Sequence, residues 1–239
     1  MELFEALHTR RSIRRFLERE VERSKLVDII EAGRAAPSAG NLQSYKFIVI
    51  ERPELKAALA KACDEQWWLA TAPVLILVCS EPVPQVRHYG ERGRLYATQG
   101  AAAVIQNMLL AAHGLGLASC WVASFDPDAL RTITGIPEAV QPEAVLPVGY
   151  PDECPEIPSK KPLAAQVFFA SWGNRFEELA KLTGYWSESW LRRAAEAKAE
   201  LEAEAAKAKK LGEATVRRFG AAVQKLAKRL IEGARKKLS

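Results

Sequence analysis

Three short stretches of this 239-residue chain hold the side chains best suited to gripping a charged ligand. The first, Arg10-Arg11-Ser12-Ile13-Arg14-Arg15-Phe16, sets four guanidinium groups and a hydroxyl within six residues. A guanidinium donates two parallel hydrogen bonds to a phosphate or carboxylate, and a serine adds a further donor. The same composition also suits a solvated basic turn, so this stretch alone decides nothing. The second, Ala36-Pro37-Ser38-Ala39-Gly40-Asn41-Leu42-Gln43, is a proline-opened loop of small residues. Its backbone can approach a planar ligand closely, while Asn41 and Gln43 each offer donors and acceptors. The third, Pro158-Ser159-Lys160-Lys161-Pro162-Leu163, brackets two ammonium groups between prolines and is able to meet the same anion.

Other chemistries find less support. Cys63, Cys79, Cys120 and Cys154 contain no Cys-x-x-Cys pair, and His8, His88 and His113 are scattered, so neither a metal site nor a disulfide is expected. Cys79 and Cys120 sit in apolar segments and read as buried thiols. Gly114-x-Gly116 lacks the third glycine of a dinucleotide fingerprint and follows a helix rather than a strand. His113 reads as a satisfied structural histidine. Trp67 and Trp68 border either a substrate cavity or the core. Arg87, His88, Tyr89, Arg92 and Arg94 read as a solvated loop, with a lid as the alternative.

The elements that must position these groups alternate between helix and strand. A short helix over 2–8 precedes the basic turn, and helical spacing of Leu26, Ile29 and Ile30 predicts a second helix over 25–35 with Ser24 as N-cap. Residues 47–50 form a β-branched strand, and Pro53 at N1 opens a helix to about Ala62. The apolar run 74–79 predicts a buried strand, and 81–93 a Pro-, Arg- and Gly-rich loop. A long helix over 96–113, apolar on nearly every side, must be buried and ends near Gly114 and Gly116. Strands over 117–123 and 144–148 flank a short helix over 127–134.

Charge divides the chain in two. Residues 175–239 carry 16 Lys and Arg against 9 Asp and Glu, a balance of +7, whereas residues 1–174 stand at −2. The tail is rich in Ala, Glu and Lys, and its apolar residues recur every three or four positions, predicting two or three amphipathic helices broken near Gly184 and Gly212. It embraces a partner subunit, or serves acidic partners such as nucleic acid, or brings Trp186 and Trp190 to a site. No apolar run approaches the ~20 residues of a membrane span. The charged N-terminus excludes an ordinary signal peptide, and cytoplasmic residence is the default expectation.

Taken in order, the three stretches and their neighbours resemble the nitroreductase family. RRSIRRF resembles that family's phosphate-binding N-terminal motif, and PSAGNLQSYKFIVI its Pro-Ser-x-x-Asn-x-Gln loop with the following strand. TAPVLILVC, the 97–113 helix with its Gly-Leu-Gly-Leu exit, LPVGYPDE and SKKPLAAQVFFASW are similar to the family's later elements. The resemblance covers residues 3–174, with Ser44-Tyr45 where the family often has Pro-Trp, and lysines where the late loop often has arginine.

The resemblance implies an α+β fold, a mostly antiparallel central sheet flanked by helices, here with an added C-terminal helical extension. It implies FMN as cofactor and a homodimer with FMN at the subunit interface. Arg10, Arg11, Ser12 and Arg14 would hold the FMN phosphate and ribityl chain, with Lys160 and Lys161 completing the anion site. Pro37, Ser38, Asn41 and Gln43 would come from the other subunit, and Val122, Ala123 and Ser124 would lie near the ring's reactive edge. The implied activity is hydride transfer from NAD(P)H to a nitroaromatic, quinone or similar acceptor in a ping-pong cycle, with no side chain required as acid or base. The rival from another class is a non-catalytic flavin- or anion-binding adaptor that works through its basic tail.

Overall fold

The computed structural model describes residues 1–174; the expected helices of the 175–239 extension lie outside the described residues. The chain divides into two compact units, Met1–Pro158 and Ser159–Ser239.

In the first unit, strand β2 (Val74–Ser80) is buried along its whole length, which explains why seven consecutive positions are apolar or small. It lies at the centre of a sheet of order β1-β2-β4-β3, with β1 at Tyr45–Ile50, β3 at Ala118–Ser119 and β4 at Gln141–Gly149, every pairing antiparallel. Alternate side chains point to opposite faces of a strand, so β2 feeds two cores. Val74, Ile76 and Val78 join Ala144, Leu146 and Val148 of β4 beneath helices α2 (Arg23–Arg34) and α5 (Arg92–Gly114). Leu75, Leu77 and Cys79 join Val145 in a second core with Leu59, Cys63, Leu69 and Leu130. That face is covered by α3 (Pro53–Ala62), a 3-10 turn at Trp67–Thr71 and α6 (Pro127–Thr134). The expected α+β architecture with an antiparallel sheet is therefore the observed one.

Several elements differ from the sequence expectation, each for a local reason. α2 begins at Arg23 with Glu22 at its N-cap, so Ser24 lies inside the first turn. Residues 81–93 are not a loop: Pro82–Tyr89 is a helix, α4. Its two early prolines, Pro82 and Pro84, occupy the first turn, where a missing N–H has no intrahelical partner to lose. α5 starts at Arg92 and buries one face (Ala97, Ala101, Val104, Ile105, Met108, Leu109 and Ala112), while Ala102, Ala103, Leu110 and Ala111 stay half-buried. The strand expected over 117–123 pairs only at Ala118–Ser119, plus one bridge from Val122 to Val145.

α1 (Leu3–Thr9) packs on the end of α5, where the Thr9 hydroxyl donates to the Glu5 carbonyl at 2.6 Å and lies 2.8 Å from His113 Nε2. His113 is thus a satisfied structural histidine, its pKa lowered by burial and by Arg10 and Arg11. Among the described residues no helix is long and apolar enough to cross a membrane. In the second unit, a 3-10 turn at Leu163–Ala165 precedes a turn closed by Phe169 N–H to the Asn174 carbonyl at 2.9 Å.

Candidate active site

Beyond α1 the arginine stretch runs extended, held at both ends by main chain. Ile13 N–H donates to the Ser119 carbonyl at 3.1 Å and Leu17 N–H to the Tyr150 carbonyl at 2.9 Å. Ile13 and Phe16 turn into the second core, which leaves Ser12, Arg14 and Arg15 exposed on the outer side. The four arginines then part company. Arg11 folds back onto α1, its guanidinium donating to the His8 and Arg10 carbonyls at 2.9 and 2.6 Å. There it supplies the cation that a helix C-terminus favours, and burial with the neighbouring Arg10 charge lowers its pKa. Arg15 pairs with Asp152 at 3.3 Å. Arg10 and Arg14 form no ion pair with a described carboxylate. They are the two guanidinium groups left to meet an anion, with the Ser12 hydroxyl between them.

Behind this stretch stands Cys120. Burial pushes its thiol pKa up, opposed by Arg14, a hydrogen bond with Ser12, and Arg10. Cys63 and Cys79 are also buried, each pushed up to about 12, and are poor nucleophiles for that reason. The chain leaving Cys120 carries Val122, Ala123 and Ser124. Val122 is fixed by reciprocal bonds with Val145, 3.1 and 2.9 Å, while Ala123 and Ser124 are exposed. The Ser124 hydroxyl donates to Asp64. No local pattern signals that partner: Asp64 lies 60 positions away and adopts a left-handed conformation at φ 53° after α3. Within one chain, therefore, the fold brings Arg10, Ser12 and Arg14 beside the segment that leads to Val122–Ser124.

The Pro37–Gln43 loop is elsewhere. It forms a 3-10 turn at Ala39–Asn41 in which Gly40 takes φ 59°, followed by Asn41 at 52° and Gln43 at 47°. Gln43 N–H donates to the Ser38 hydroxyl at 3.1 Å. Pro37, Asn41 and Gln43 are exposed and Ser38 half-buried. α4 grips this loop through residues one turn apart: Gln85 Nε2 donates to the Ala39 carbonyl at 3.3 Å, and the Tyr89 hydroxyl sits where a Cβ on Gly40 would approach to 2.7 Å. Ser38 lies against Gly100, in the first half of α5, whereas Thr9, just before the arginine stretch, meets His113 at its end. Those two positions are about 20 Å apart along the helix at ~1.5 Å per residue. A single chain does not bring the loop to the arginines.

Lys160 and Lys161 are exposed and belong to the second unit. Trp68 lies at the arginine stretch, its ring centroid 5.8 Å from Arg14 Cζ, and it also packs on the second core. A shallow groove of about 400 Å³ between α3 and α6, lined by Lys61, Asp64, Asp126 and Ile133 among others, includes none of the expected cofactor residues.

The description of the nitroreductase family matches residues 7–69 and 65–150, a span holding both the arginine stretch and the loop. The chain belongs to the nitroreductase family. An archaeal member from Methanothermobacter thermautotrophicus, named provisionally as an NADH dehydrogenase/NAD(P)H nitroreductase, is 33% identical over 163 residues, covering 65% of this chain and 80% of its own. A nitroreductase family protein from Clostridium difficile 630 has a solved structure 31% identical with a TM-score of 0.63, covering 72% of this chain and 99% of its own. An FMN-dependent nitroreductase from Clostridium difficile R20291 is 25% identical with a TM-score of 0.62, covering 71% and 100%. These nitroreductase structures share the fold of this chain over most of its length, and the family is one of oxidoreductases.

Proposed function

We propose that this chain is an FMN-dependent oxidoreductase that carries hydride from NAD(P)H to a small oxidised acceptor such as a nitroaromatic or quinone. The observation that carries the proposal is the pair Arg10 and Arg14, whose guanidinium groups form no ion pair with a carboxylate among the described residues, on a stretch fixed at both ends by main-chain bonds. Two guanidinium groups flanking a serine hydroxyl suit a terminal phosphate. When bound, FMN supplies the electron chemistry. The protein places it: Arg10, Ser12 and Arg14 take the phosphate and ribityl chain, and Arg11 adds charge from its seat on α1. Backbone groups of Val122, Ala123 and Ser124 line the reactive edge.

Pro37, Ser38, Asn41 and Gln43 reach this site from a second copy, which the ~20 Å separation along α5 within one chain supports. The exposed Leu3, Phe4 and Leu7 of α1 and the half-buried face of α5 supply apolar surface for such a homodimer. The flavin-binding domain comprises residues 1–174, with 175–239 as an extension. Donor and acceptor use one cleft in turn, so initial-rate plots at several fixed acceptor concentrations should be parallel lines.

The test is spectroscopic. Purified protein should be yellow and bleach on addition of NADH or NADPH. Arg10→Ala with Arg14→Ala should release the flavin while circular dichroism stays unchanged. Full flavin occupancy in that variant would show that the phosphate lies elsewhere. Protein that binds flavin but never bleaches would point to an adaptor instead.

A further inference from the structure

Glu153 stands just beyond β4, and its Oε1 accepts two consecutive backbone amides, Arg14 N–H at 2.5 Å and Arg15 N–H at 3.2 Å. Successive amides turned towards one point form a concave anion receptor. Here the chain's own carboxylate fills it. The next bonds along the splice are also specific: Asp152 N–H donates to the Arg15 carbonyl at 3.0 Å, and the Asp152 carboxylate takes the Arg15 guanidinium. Arg15 is thereby turned away from its neighbour. The Arg14 side chain goes the other way, over Trp68 and close enough to Cys120 for its charge to act on the thiol.

A negative charge beside a phosphate receptor works against phosphate binding by repulsion. Its presence has a physical rationale if what it contributes is geometry. In an extended segment the direction of a side chain follows from the backbone that carries it, and a guanidinium on a long flexible stem loses less freedom on binding when its root is fixed. We propose that Glu153 is a positioning residue for Arg14: by holding the Arg14 amide it aims the guanidinium at the anion. This rests on the FMN assignment proposed for this chain.

The experiment is a double-mutant cycle on the full chain, with FMN affinity read by quenching of flavin fluorescence. Glu153→Ala should weaken FMN binding about tenfold, and Glu153→Asp, which keeps the charge but withdraws the acceptor, should follow it. Glu153→Gln retains a carbonyl oxygen at the same reach and loses the repulsion, so its affinity should equal or exceed that of the unaltered chain. In the Arg14→Ala background, Glu153→Ala should cost less than about twofold, because the side chain it aims is gone. A tenfold loss that persists without Arg14 overturns the proposal, as does a Gln variant that falls as far as Ala.

A second readout needs no flavin. Amide hydrogen exchange at Arg14 and Arg15, with none added, should quicken at least about tenfold in the Ala variant and not in the Gln variant. Unchanged exchange overturns the positioning role even where FMN binds. An unaltered chain that takes up no FMN overturns the FMN assignment alone.

Discussion

Tyr150 shows how much a single side chain secures near the site. Its hydroxyl donates to Glu22, 2.7 and 2.9 Å from the two carboxylate oxygens, and accepts from Lys25 Nζ at 2.7 Å, while Arg19 Cζ lies 3.8 Å from the centre of its ring. Its carbonyl meanwhile holds Leu17, just past the arginine stretch. The Tyr150 bond holds the Glu22 carboxyl down at about 2, against an ordinary 4.5. A carboxylate with a lowered folded pKa stabilises the protein fully above its unfolded value and loses that contribution as pH falls towards the folded one. The window is therefore between about 4.5 and about 2, and the effect is modest because the group is exposed. Tyr150→Phe should raise the Glu22 midpoint towards 4.5 in an NMR titration; an unmoved midpoint would assign the shift to Lys25 and the backbone instead. In the sequence, Gly149-Tyr150-Pro151 read only as the end of a strand. The residues that Tyr150 joins lie 125 or more positions away in the chain, and no local pattern encodes such a pairing. Glu153 was invisible for the same reason, whereas Arg10 and Arg14 announced themselves by density of charge.

At the scale of elements, the corner between α4 and α5 holds the Pro37–Gln43 loop in place. Gly93 makes that corner possible: a Cβ there would stand 2.3 Å from the Gln85 carbonyl carbon and oxygen and 2.4 Å from Val86 N. Those are backbone atoms, which cannot rotate aside. Gly93→Ala should cost about 3 kcal/mol and lower the Tm by roughly 5–10 °C. It should also loosen the Gln85 and Tyr89 contacts with Ala39 and Gly40, so that the loop amides exchange faster; a Tm within one degree of the unaltered chain would mean that the corner yields freely. Helices opened by proline at N1, Pro53–Ala62 and Pro127–Thr134, were legible to the residue, because proline fixes φ and removes a donor that has no partner in the first turn. The same rule applies to α4, but its second proline, Arg87 and the glycines that follow at 90 and 93 imitate a loop. β3 is over-read for another reason: 117–123 has strand composition, yet it pairs with β4 only at Ala118–Gly149 and Ser119–Val148 and again at the Val122–Val145 bridge, because Pro147 of β4, which the register sets between them, has no N–H to donate.

For the whole molecule, the decisive question is which copy would supply which half of the proposed flavin site. The unbroken apolar run of β2 made a strand buried on both faces legible, and the family resemblance implied a dimer, but a linear sequence does not show how far two motifs about 30 residues apart lie from each other in space. The α5 axis does, setting Ser38 against Gly100 and Thr9, beside the arginines, against His113 about 20 Å further along, which supports drawing the two motifs of the proposed site from different copies. A chain with Arg10→Ala and Arg14→Ala retains a good loop, and one with Asn41→Ala and Gln43→Ala retains good arginines. If each site draws its arginines from one protomer and its loop from the other, neither variant alone holds flavin. Dissociated and reassembled in equal amounts, half of the dimers combine the two variants, and each such dimer has one intact site of two. About one quarter of all sites should therefore recover flavin and NAD(P)H-dependent bleaching, as expected for an isologous two-fold dimer with shared sites. If a single protomer built the whole site, no mixture could contain an intact one, and the recovered fraction would stay at the level of the separate variants.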